Sequence, residues 1–439
     1  MVLSLAPSLT AAPTLNRDRY RAVRRWSEQI CQPLQTEDYV IQTMPDVSPP
    51  KWHLAHTTWF FETFILQPFV PNYRPFHDRY GYLFNSYYEA VGDRHPRPQR
   101  GLLARPTVAD IYAYRAYVDE GMARFLEMVL QEPEEGDKSK ILVLGLHHEQ
   151  QHQELLLTDI KHIFGTNPLF PIYQSVKASV ENLSQESPPL HWQTYGAGLY
   201  EVGHEPAQKF SFDNESPRHQ VYLHDFALAD RLVTCGEYLN FIQAGGYRTA
   251  AHWLSEGWHR VQTEGWQAPL YWHDRKGDWW IMTLQGLKPL GLEEPVCHVS
   301  YFEADAYATW AGCRLPSEAE WELAVCRDGE LGDQNFPALD AQIPVCHPQP
   351  LSSGSPRDGL QQVYGGVWQW TQSAYLPYPG FRVAPGAIGE YNGKFMCNQM
   401  VLRGGSCATP PGHLRATYRN FFPPDARWQF SGIRLAKDL

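Results

Sequence analysis

The chain has 439 residues, 43% of them hydrophobic, with 15 Trp, 24 Tyr and 20 Phe, which allows two or three domains with large apolar cores. Its formal net charge of −11 argues against nucleic-acid or anionic-membrane partners, because both attract proteins through basic patches. The first fifteen residues lack a basic start, and no run of about eighteen apolar residues occurs, so we expect neither a signal peptide nor a membrane span.

The N-terminal third of the chain predicts long helices. Apolar residues recur at helical spacing between charged residues over 17–34, which indicates a first helix. Ser-Pro-Pro at 48–50 supplies a cap and prolines that a first helical turn tolerates, so we expect a second helix from there to about residue 66. This second helix carries His53 and His56.

A long loop is predicted between the second and third helices. Residues 68–106 are rich in Pro, Gly, Tyr and Asn and show no clear period. The loop carries Tyr87, Tyr88, Arg97 and Arg100. Long loops inside compact domains usually serve a function, so these side chains are candidates for a site.

Two further helices follow the loop. Thr-Val-Ala-Asp at 107–110 resembles a capping box and opens a helix to about residue 131. A charged turn then leads to a helix over 139–164, which Gly-Thr-Asn-Pro at 165–168 ends. The four long helices together predict a helical bundle.

The last of these helices carries the strongest chemical signal. His148 and His152 are four residues apart, so both imidazoles lie on one helix face and can bind one metal ion. Glu154 projects to nearly the opposite side and is a poor third ligand. The best remaining donor is the second helix, through His53 or His56, because facing helices of a bundle supply metal ligands inward.

A histidine pair at this spacing is more often structural than metal-binding. Here His147 and His162 lie in the same segment as the pair, and a purely structural helix has no need of so many histidines. The metal-site interpretation is therefore favoured. Three neutral imidazoles suit Fe(II), Zn(II) or Cu(II), and the ligand type alone does not choose among them.

The composition changes after the bundle. Residues 176–190 are rich in polar residues and Pro, which indicates a linker between a bundle at 1–175 and a second domain at 191–439. In the second domain, short β-like stretches alternate with Gly-, Pro- and Trp-rich turns and brief helices near 235–244 and 301–311, so the expected fold class is α+β. The eight cysteines form no Cys-x-x-Cys pair, as is typical of reduced thiols in a cytoplasmic protein.

Several sequence blocks occur in the order seen in a known family. In the second domain they are Arg-Leu-Pro-Ser-Glu-Ala-Glu-Trp-Glu-Leu-Ala at 314–324, Tyr-Gly-Gly-Val-Trp-Gln-Trp at 364–370, Val-Leu-Arg-Gly-Gly-Ser at 401–406 and Phe-Ser-Gly-Ile-Arg-Leu at 430–435. They resemble the formylglycine-generating-enzyme or sulfatase-modifying-factor fold. The first domain, with Trp-His-Leu-Ala-His at 52–56 and His-x-x-x-His-x-Glu at 148–154, resembles a DinB-like bundle. The two in this order resemble the sulfoxide synthases of ergothioneine biosynthesis, from about Arg17 to Leu439.

The resemblance implies a mononuclear non-haem Fe(II) enzyme. Such enzymes use O₂ to join a thiol sulfur to imidazole C2 of Nα-trimethylhistidine (hercynine), giving a sulfoxide. The family's ligand is the histidine of Leu-Ala-His, which selects His56 over His53 and makes His56, His148 and His152 the expected iron ligands. Gln151, adjacent to His152, is placed to bond the substrate ring.

The resemblance also implies substrate-binding residues. A trimethylammonium group donates no conventional hydrogen bond, so aromatic faces and a few oxygens should surround it. In the family an Asn and the residue after it line this pocket, which implies Asn420 and Phe421 here. The carboxylate of the thiol substrate needs a guanidinium, and Arg97 and Arg100 fit by position and spacing.

Two further roles follow from the family comparison. Relatives that take γ-glutamylcysteine hold it with an Asp two residues after the Asn and with an Arg further on. Here Phe422 and Ala426 stand at those places, so cysteine is the favoured thiol donor and Phe422 is expected at the substrate. A phenol is expected to deliver the proton. Tyr87 and Tyr88 are the candidates, and Tyr391 lies in the second-domain segment that some relatives use.

The sequence leaves alternatives open. A related synthase on the same scaffold would use histidine with cysteine, or a selenosugar. A sulfatase-activating oxidase would need a reactive cysteine pair, for which Cys397 and Cys407 are the candidates, but the intact histidine triad disfavours it. A non-catalytic binding protein would use both folds only as scaffolds.

Overall fold

The computed structural model describes residues 17–129, 136–175, 187–205, 210–328, 346–351, 359–383, 389 and 392–439. Tyr391 and most of the predicted linker lie outside these residues, and the predicted domain boundaries stay predictions. The expected fold class is confirmed, because helices form the N-terminal half and small sheets with short helices form the C-terminal half.

The N-terminal half is a bundle of long helices. Its described helices are α1 (Arg17–Cys31), α2 (Pro50–Phe61), α3 (Gln67–Phe69), α4 (Tyr80–Phe84), α5 (Val108–Val129) and α6 (Asp137–Thr166). A π-helical turn, Glu62–Leu66, joins α2 to α3. The loop predicted over 68–106 contains α4 and a 3₁₀ segment, Arg97–Leu102. The predicted capping box opens α5, since Thr107 Oγ1 accepts the Asp110 N–H at 3.1 Å and the Asp110 carboxylate accepts the Thr107 N–H at 2.9 Å.

The central helix of the bundle is α2. Every residue from Pro50 to Phe61 is buried, because α1, α5 and α6 all pack against this helix. A helix surrounded in this way has no face for water. His53 and His56 are therefore held inside the bundle, opposite α6.

A buried ion network fixes α6 in the bundle. The Glu149 carboxylate accepts hydrogen bonds from Arg24 at 2.9 Å, Arg115 at 3.0 Å and Ser27 at 2.7 Å. Burial by itself would raise the pKa of Glu149, but the two guanidiniums lower this pKa below its ordinary value. Glu149 therefore stays ionised at neutral pH and ties α6 to α1 and α5.

The C-terminal half is an α+β body. Its described helices are α7 (Cys235–Gln243), α8 (Ser255–Glu264), α9 (Tyr301–Trp310) and α10 (Glu318–Asp328). Its described strands are β1 (Trp192–Tyr195), β2 (Gly198–Val202), β3 (His219–Leu223), β4 (Phe226–Ala229), β5 (Trp272–Arg275), β6 (Asp278–Thr283), β7 (Gly286–Pro289), β8 (Trp368–Ala374), β9 (Met400–Arg403), β10 (Asn420–Phe422), β11 (Ser431–Gly432) and β12 (Ala436–Asp438). The helices α7 and α9 match the two predicted brief helices, whereas α8 and α10 were not predicted.

The strands form several small sheets. Their orders are β1-β4-β12, β2-β3, β5-β6-β7 and β10-β9-β8-β11. In the last sheet β8 and β11 run parallel, and β10 pairs antiparallel with β9, with Asn420 opposite Leu402. This pairing places the Asn420–Phe422 strand at an edge of its sheet.

Contacts along α6 join the two halves. The Glu154 carboxylate accepts hydrogen bonds from Trp368 Nε1 at 2.7 Å, Ser406 Oγ at 2.5 Å and Thr409 Oγ1 at 2.7 Å. As its sequence position predicts, Glu154 points away from the face that carries His152. The helix with two of the predicted metal ligands is thus held between the halves.

Two further expectations concern the chain as a whole. The eight cysteines are all free thiols. Among the helices of the described residues, none combines the length and the hydropathy needed to cross a bilayer.

Candidate metal centre

Three imidazoles from two helices converge inside the bundle. His148 and His152 lie one turn apart on α6, His56 lies on α2, and one nitrogen of each lies within 4.8 Å of the other two. The ring centroids are 4.7 to 5.0 Å apart. Because metal ions bind imidazole nitrogen at about 2.1 Å, small rotations of these rings bring all three nitrogens to one ion.

Burial keeps the three imidazoles neutral. Burial lowers the pKa of His56 and of His152 well below the ordinary value and lowers the pKa of His148 to about 3. His56 Nδ1 donates to the Phe84 carbonyl at 2.6 Å, so its lone pair is on Nε2. That Nε2 is buried and has no hydrogen-bond partner among the described residues. An isolated buried acceptor is costly unless a ligand meets it, so these residues fit a metal ion that prefers nitrogen donors.

His53 contacts His152 from outside the cluster of three histidines. Its Nδ1 lies 2.9 Å from Nδ1 of His152, and its Nε2 lies 2.9 Å from Oδ2 of Asp159. The structure therefore groups His56, and not His53, with His148 and His152.

A cavity opens beside the cluster at the junction of the two halves. The predicted site residues that line it are Tyr87, Arg97, Arg100, His152 and Phe422. Its wall also includes Trp52, His53 and Asp159 from the bundle and Trp428 from the C-terminal half. The cavity therefore adjoins the metal cluster through His152 and is completed by both halves of the chain.

Arg100 brings a buried positive charge to this cavity. Its side chain is 3% exposed, and the guanidinium lies 3.3 Å from the centroid of the Trp52 ring. It donates to Ser48 Oγ at 2.9 Å and to Ser86 Oγ at 3.2 Å. Burial and then the nearby Arg97 lower the pKa of Arg100 well below its ordinary value. Since no described carboxylate pairs with this guanidinium, it is suited to bind an anion.

The two predicted tyrosines occupy different environments. Tyr87 is half-buried and lines the cavity. Tyr88 is 1% exposed, and its ring packs between Trp59 at 5.6 Å and Phe64 at 5.2 Å. Of the two, the structure brings Tyr87 to the cavity together with Arg100 and His152.

The remaining predicted residues lie near the cavity without lining it. Gln151 Nε2 donates to the hydroxyl of Tyr418 at 2.7 Å. Asn420 Oδ1 accepts the N–H of Phe421 at 2.9 Å, and the Phe421 ring stacks on Tyr375 with centroids 4.0 Å apart. Gln151 is thus bonded to the C-terminal half, and Asn420 and Phe421 belong to strand β10 of that half.

Comparisons with known proteins cover nearly the whole chain. Residues 194–439 match the sulfatase-modifying factor enzyme 1-like domain family, and residues 19–156 match the DinB superfamily. The chain is 32% identical to the hercynine oxygenase of Mycobacterium tuberculosis over 412 residues, which cover 90% of this chain and 92% of that protein. It is 33% identical to the hercynine oxygenase of Mycolicibacterium smegmatis over 419 residues, covering 91% and 93% respectively. The chain belongs to the hercynine oxygenase family.

Membership of the hercynine oxygenase family confirms the predicted resemblance. A further similarity, 28% identity over 236 residues, joins the chain to ergothioneine biosynthesis protein 1 of Schizosaccharomyces pombe and covers 52% of this chain and 28% of that protein. The sequence analysis did not single out Trp52, Asp159 or Trp428, which line the cavity. Helical spacing could have indicated two of them, since Trp52 lies four residues before His56 on α2 and Asp159 lies seven residues after His152 on α6. Trp428 is far from the histidines in sequence and reaches the cavity only through folding.

Proposed function

We propose that this hercynine oxygenase family member uses ferrous iron and O₂ to join imidazole C2 of hercynine to the sulfur of cysteine, giving a sulfoxide in ergothioneine biosynthesis. The observation that carries the proposal is the cluster of three neutral imidazoles beside a cavity lined by both halves of the chain. The names of the mycobacterial and yeast relatives support the substrate and the pathway.

His56, His148 and His152 would hold the iron. Three neutral nitrogen ligands occupy only part of the coordination sphere of Fe(II) and leave the other positions to the substrates. Iron bound there would supply the one-electron chemistry that activates O₂. The depressed pKa values of the three imidazoles keep their lone pairs available at neutral pH, as metal binding requires.

Arg100 would bind the carboxylate of cysteine. A planar guanidinium can donate two parallel hydrogen bonds to a carboxylate, and Arg100 is buried at the cavity without a carboxylate partner among the described residues. Phe422 gives the same cavity an apolar wall. An apolar wall suits a small thiol better than the charged γ-glutamyl group, which favours cysteine over γ-glutamylcysteine.

Hercynine would meet the aromatic group beside β10. Methyl groups of a quaternary ammonium bind well on aromatic faces, and the half-buried Phe421 ring stacked on Tyr375 offers such a surface next to Asn420. Gln151 is held at one end by Tyr418. Its amide would orient the imidazole ring of the substrate.

Tyr87 would hold the proton that the reaction transfers. A phenol can donate a proton through its hydroxyl, and Tyr87 lines the cavity that Arg100 and His152 also line. Tyr88 would hold the Tyr87 ring in position, since the centroids of the two rings lie 4.9 Å apart.

Product analysis tests this function. The Fe(II)-loaded protein is incubated with hercynine, cysteine and O₂, and the products are weighed by mass spectrometry. We expect one product whose mass equals the two substrates joined, less two hydrogens, with one added oxygen. His56→Ala should abolish it. His162→Ala is a matched control, because it also removes a buried histidine of the bundle, in this case one on α6 that lies outside the cluster.

Each alternative substrate gives a distinct result. Product formed from histidine but not from hercynine, or from γ-glutamylcysteine or a selenosugar but not from cysteine, would reassign the substrate. Iron-loaded protein that forms no joined product with any of these pairs would refute the proposal.

A further inference from the structure

A buried hydrogen-bonded chain runs from a carboxylate to one of the predicted iron ligands. Asp159 Oδ2 lies 2.9 Å from His53 Nε2, and His53 Nδ1 lies 2.9 Å from His152 Nδ1. Asp159 and His53 are each 3% exposed. These hydrogen bonds link two neighbouring helices, since His53 belongs to α2 and the other two residues belong to α6.

The positions of the protons along this chain follow from hydrogen-bond chemistry. Because His152 directs Nδ1 at His53, the nitrogen that remains for a metal ion is Nε2, which must then be bare. The proton of the neutral His152 ring is therefore on Nδ1, and it is donated to His53. His53 must accept it with a bare Nδ1, so its own proton is on Nε2 and is donated to Asp159.

Only one arrangement satisfies all three groups. If His53 carried its proton on Nδ1, two N–H groups would face each other across 2.9 Å, or His152 would have to carry its proton on the nitrogen that the metal needs. The Asp159 oxygen opposes this arrangement, because it lies 2.9 Å from His53 Nε2 and, by accepting a hydrogen bond there, draws the His53 proton to that nitrogen.

We propose that His53 and Asp159 are positioning residues that set the tautomer and the ring orientation of His152 for metal binding. This inference rests on the proposed function only in taking His152 as an iron ligand. Metal-bound histidines commonly donate their second N–H to a carbonyl or a carboxylate, and loss of that partner weakens binding. His56 uses the Phe84 carbonyl directly, whereas His152 reaches its carboxylate through a second imidazole.

Asp159 also joins this chain to the cavity wall. The oxygen that faces His53 accepts the backbone N–H of Ser48 at 2.8 Å, and Ser48 Oγ accepts from Arg100 at 2.9 Å. The same carboxylate oxygen therefore anchors the start of α2. An asparagine oxygen at this place can accept both hydrogen bonds, whereas alanine can accept neither.

Titration with Co(II) tests the inference without relying on activity. Co(II) is added to the metal-free protein, and its affinity and visible absorption spectrum are recorded for each variant. We expect His53→Phe, which keeps the ring but removes both nitrogens, and Asp159→Ala to weaken Co(II) binding about 10- to 100-fold and to change the spectrum. Asp159→Asn should stay within about threefold of the wild type, because its oxygen preserves the His53 tautomer.

A double variant tests whether Asp159 acts on His152 through His53 or whether the two residues affect metal binding independently. If Asp159 acts through His53, combining Asp159→Ala with His53→Phe weakens Co(II) binding no further than His53→Phe alone. His162→Ala, another buried histidine of α6 that bonds to Thr43 at 2.6 Å, is the matched control and should bind as the wild type does. If His53→Phe does not fold, the contrast between Asp159→Ala and Asp159→Asn carries the test.

The outcomes distinguish this inference from the proposed function. Wild-type affinity and spectrum in Asp159→Ala and His53→Phe, with binding lost in His56→Ala, would overturn the positioning role and leave the function intact. Weakened binding in the two variants, with no joined product from the iron-loaded wild type, would support the positioning role and overturn the function. Unchanged binding in all three, His56→Ala included, would overturn both.

Discussion

Replacing Arg100 by methionine should weaken the binding of the thiol substrate and leave hercynine binding unchanged. The guanidinium is buried at the cavity and pairs with no described carboxylate. Hydrogen bonds between a charged donor and a carboxylate contribute about 1.5 to 3 kcal/mol. Because about 1.4 kcal/mol is a factor of ten, the KM for cysteine should rise about 10- to 150-fold.

The same change should leave the protein folded. The cation–π contact with Trp52 stabilises Arg100 by up to about 2 kcal/mol, but burying a charge without a counter-ion opposes it. Methionine has a similar length and needs no hydrogen bonds, so the free energy of unfolding should change by no more than about 2 kcal/mol. A denaturant titration measures this directly.

Steady-state kinetics with each substrate varied in turn give the decisive result. Arg97→Met is the matched control, because Arg97 is exposed and bonds to the Asp46 carbonyl at 2.6 Å, and it should raise the KM for cysteine less than Arg100→Met does. An unchanged KM for cysteine in Arg100→Met, or a rise confined to hercynine, would refute the assignment of this guanidinium to the thiol substrate.

Two further predictions concern the support of α6. Glu149→Gln should lower the free energy of unfolding by about 3 to 5 kcal/mol, because it leaves Arg24 and Arg115 without their shared buried carboxylate. Urea titration measures this loss. Glu28→Gln is the control, because Glu28 is a partly exposed partner of Arg115, and it should lower the free energy of unfolding by under about 1 kcal/mol. Equal losses in the two variants would contradict the argument. Burial lowers the pKa of Lys161 from 10.5 to about 8, so the folded state favours the neutral amine. The contribution of Lys161 to the free energy of unfolding is therefore highest above pH 10.5 and falls as the pH drops from 10.5 to 8. The wild type should therefore gain up to about 3 kcal/mol relative to Lys161→Met between pH 8 and 10.5, and a difference that does not vary with pH would disprove this.

The sequence alone was sufficient for the parts of this protein that depend on local periodicity. The spacing of His148 and His152 places both rings on one face of a helix in any fold that keeps the helix, and the capping box at Thr107 is likewise a property of four consecutive residues. The ordered blocks of both halves together were sufficient for the family, although the C-terminal blocks did not reveal that residues 318–328 form a helix.

Helical periodicity could not choose between the two histidines of α2; the family resemblance favoured His56, and the tertiary structure brings His56 into the cluster. His53 and His56 are three residues apart, so their directions differ by only about 60° around the helix axis, and both are buried. Because α2 is enclosed on all sides, its sequence has no polar face from which its rotation could be deduced.

The cavity, the burial of Arg100 without a carboxylate partner among the described residues, and the hydrogen bonds of His53 to Asp159 and His152 could not be predicted from the sequence. They depend on how α2, α6, the loop before α5 and the end of the chain pack together. Periodicity along a chain determines which side chains share a face of one helix. The rotation and distance between helices are determined by the packing of side chains far apart in sequence, and in this protein that packing sets the geometry of the site.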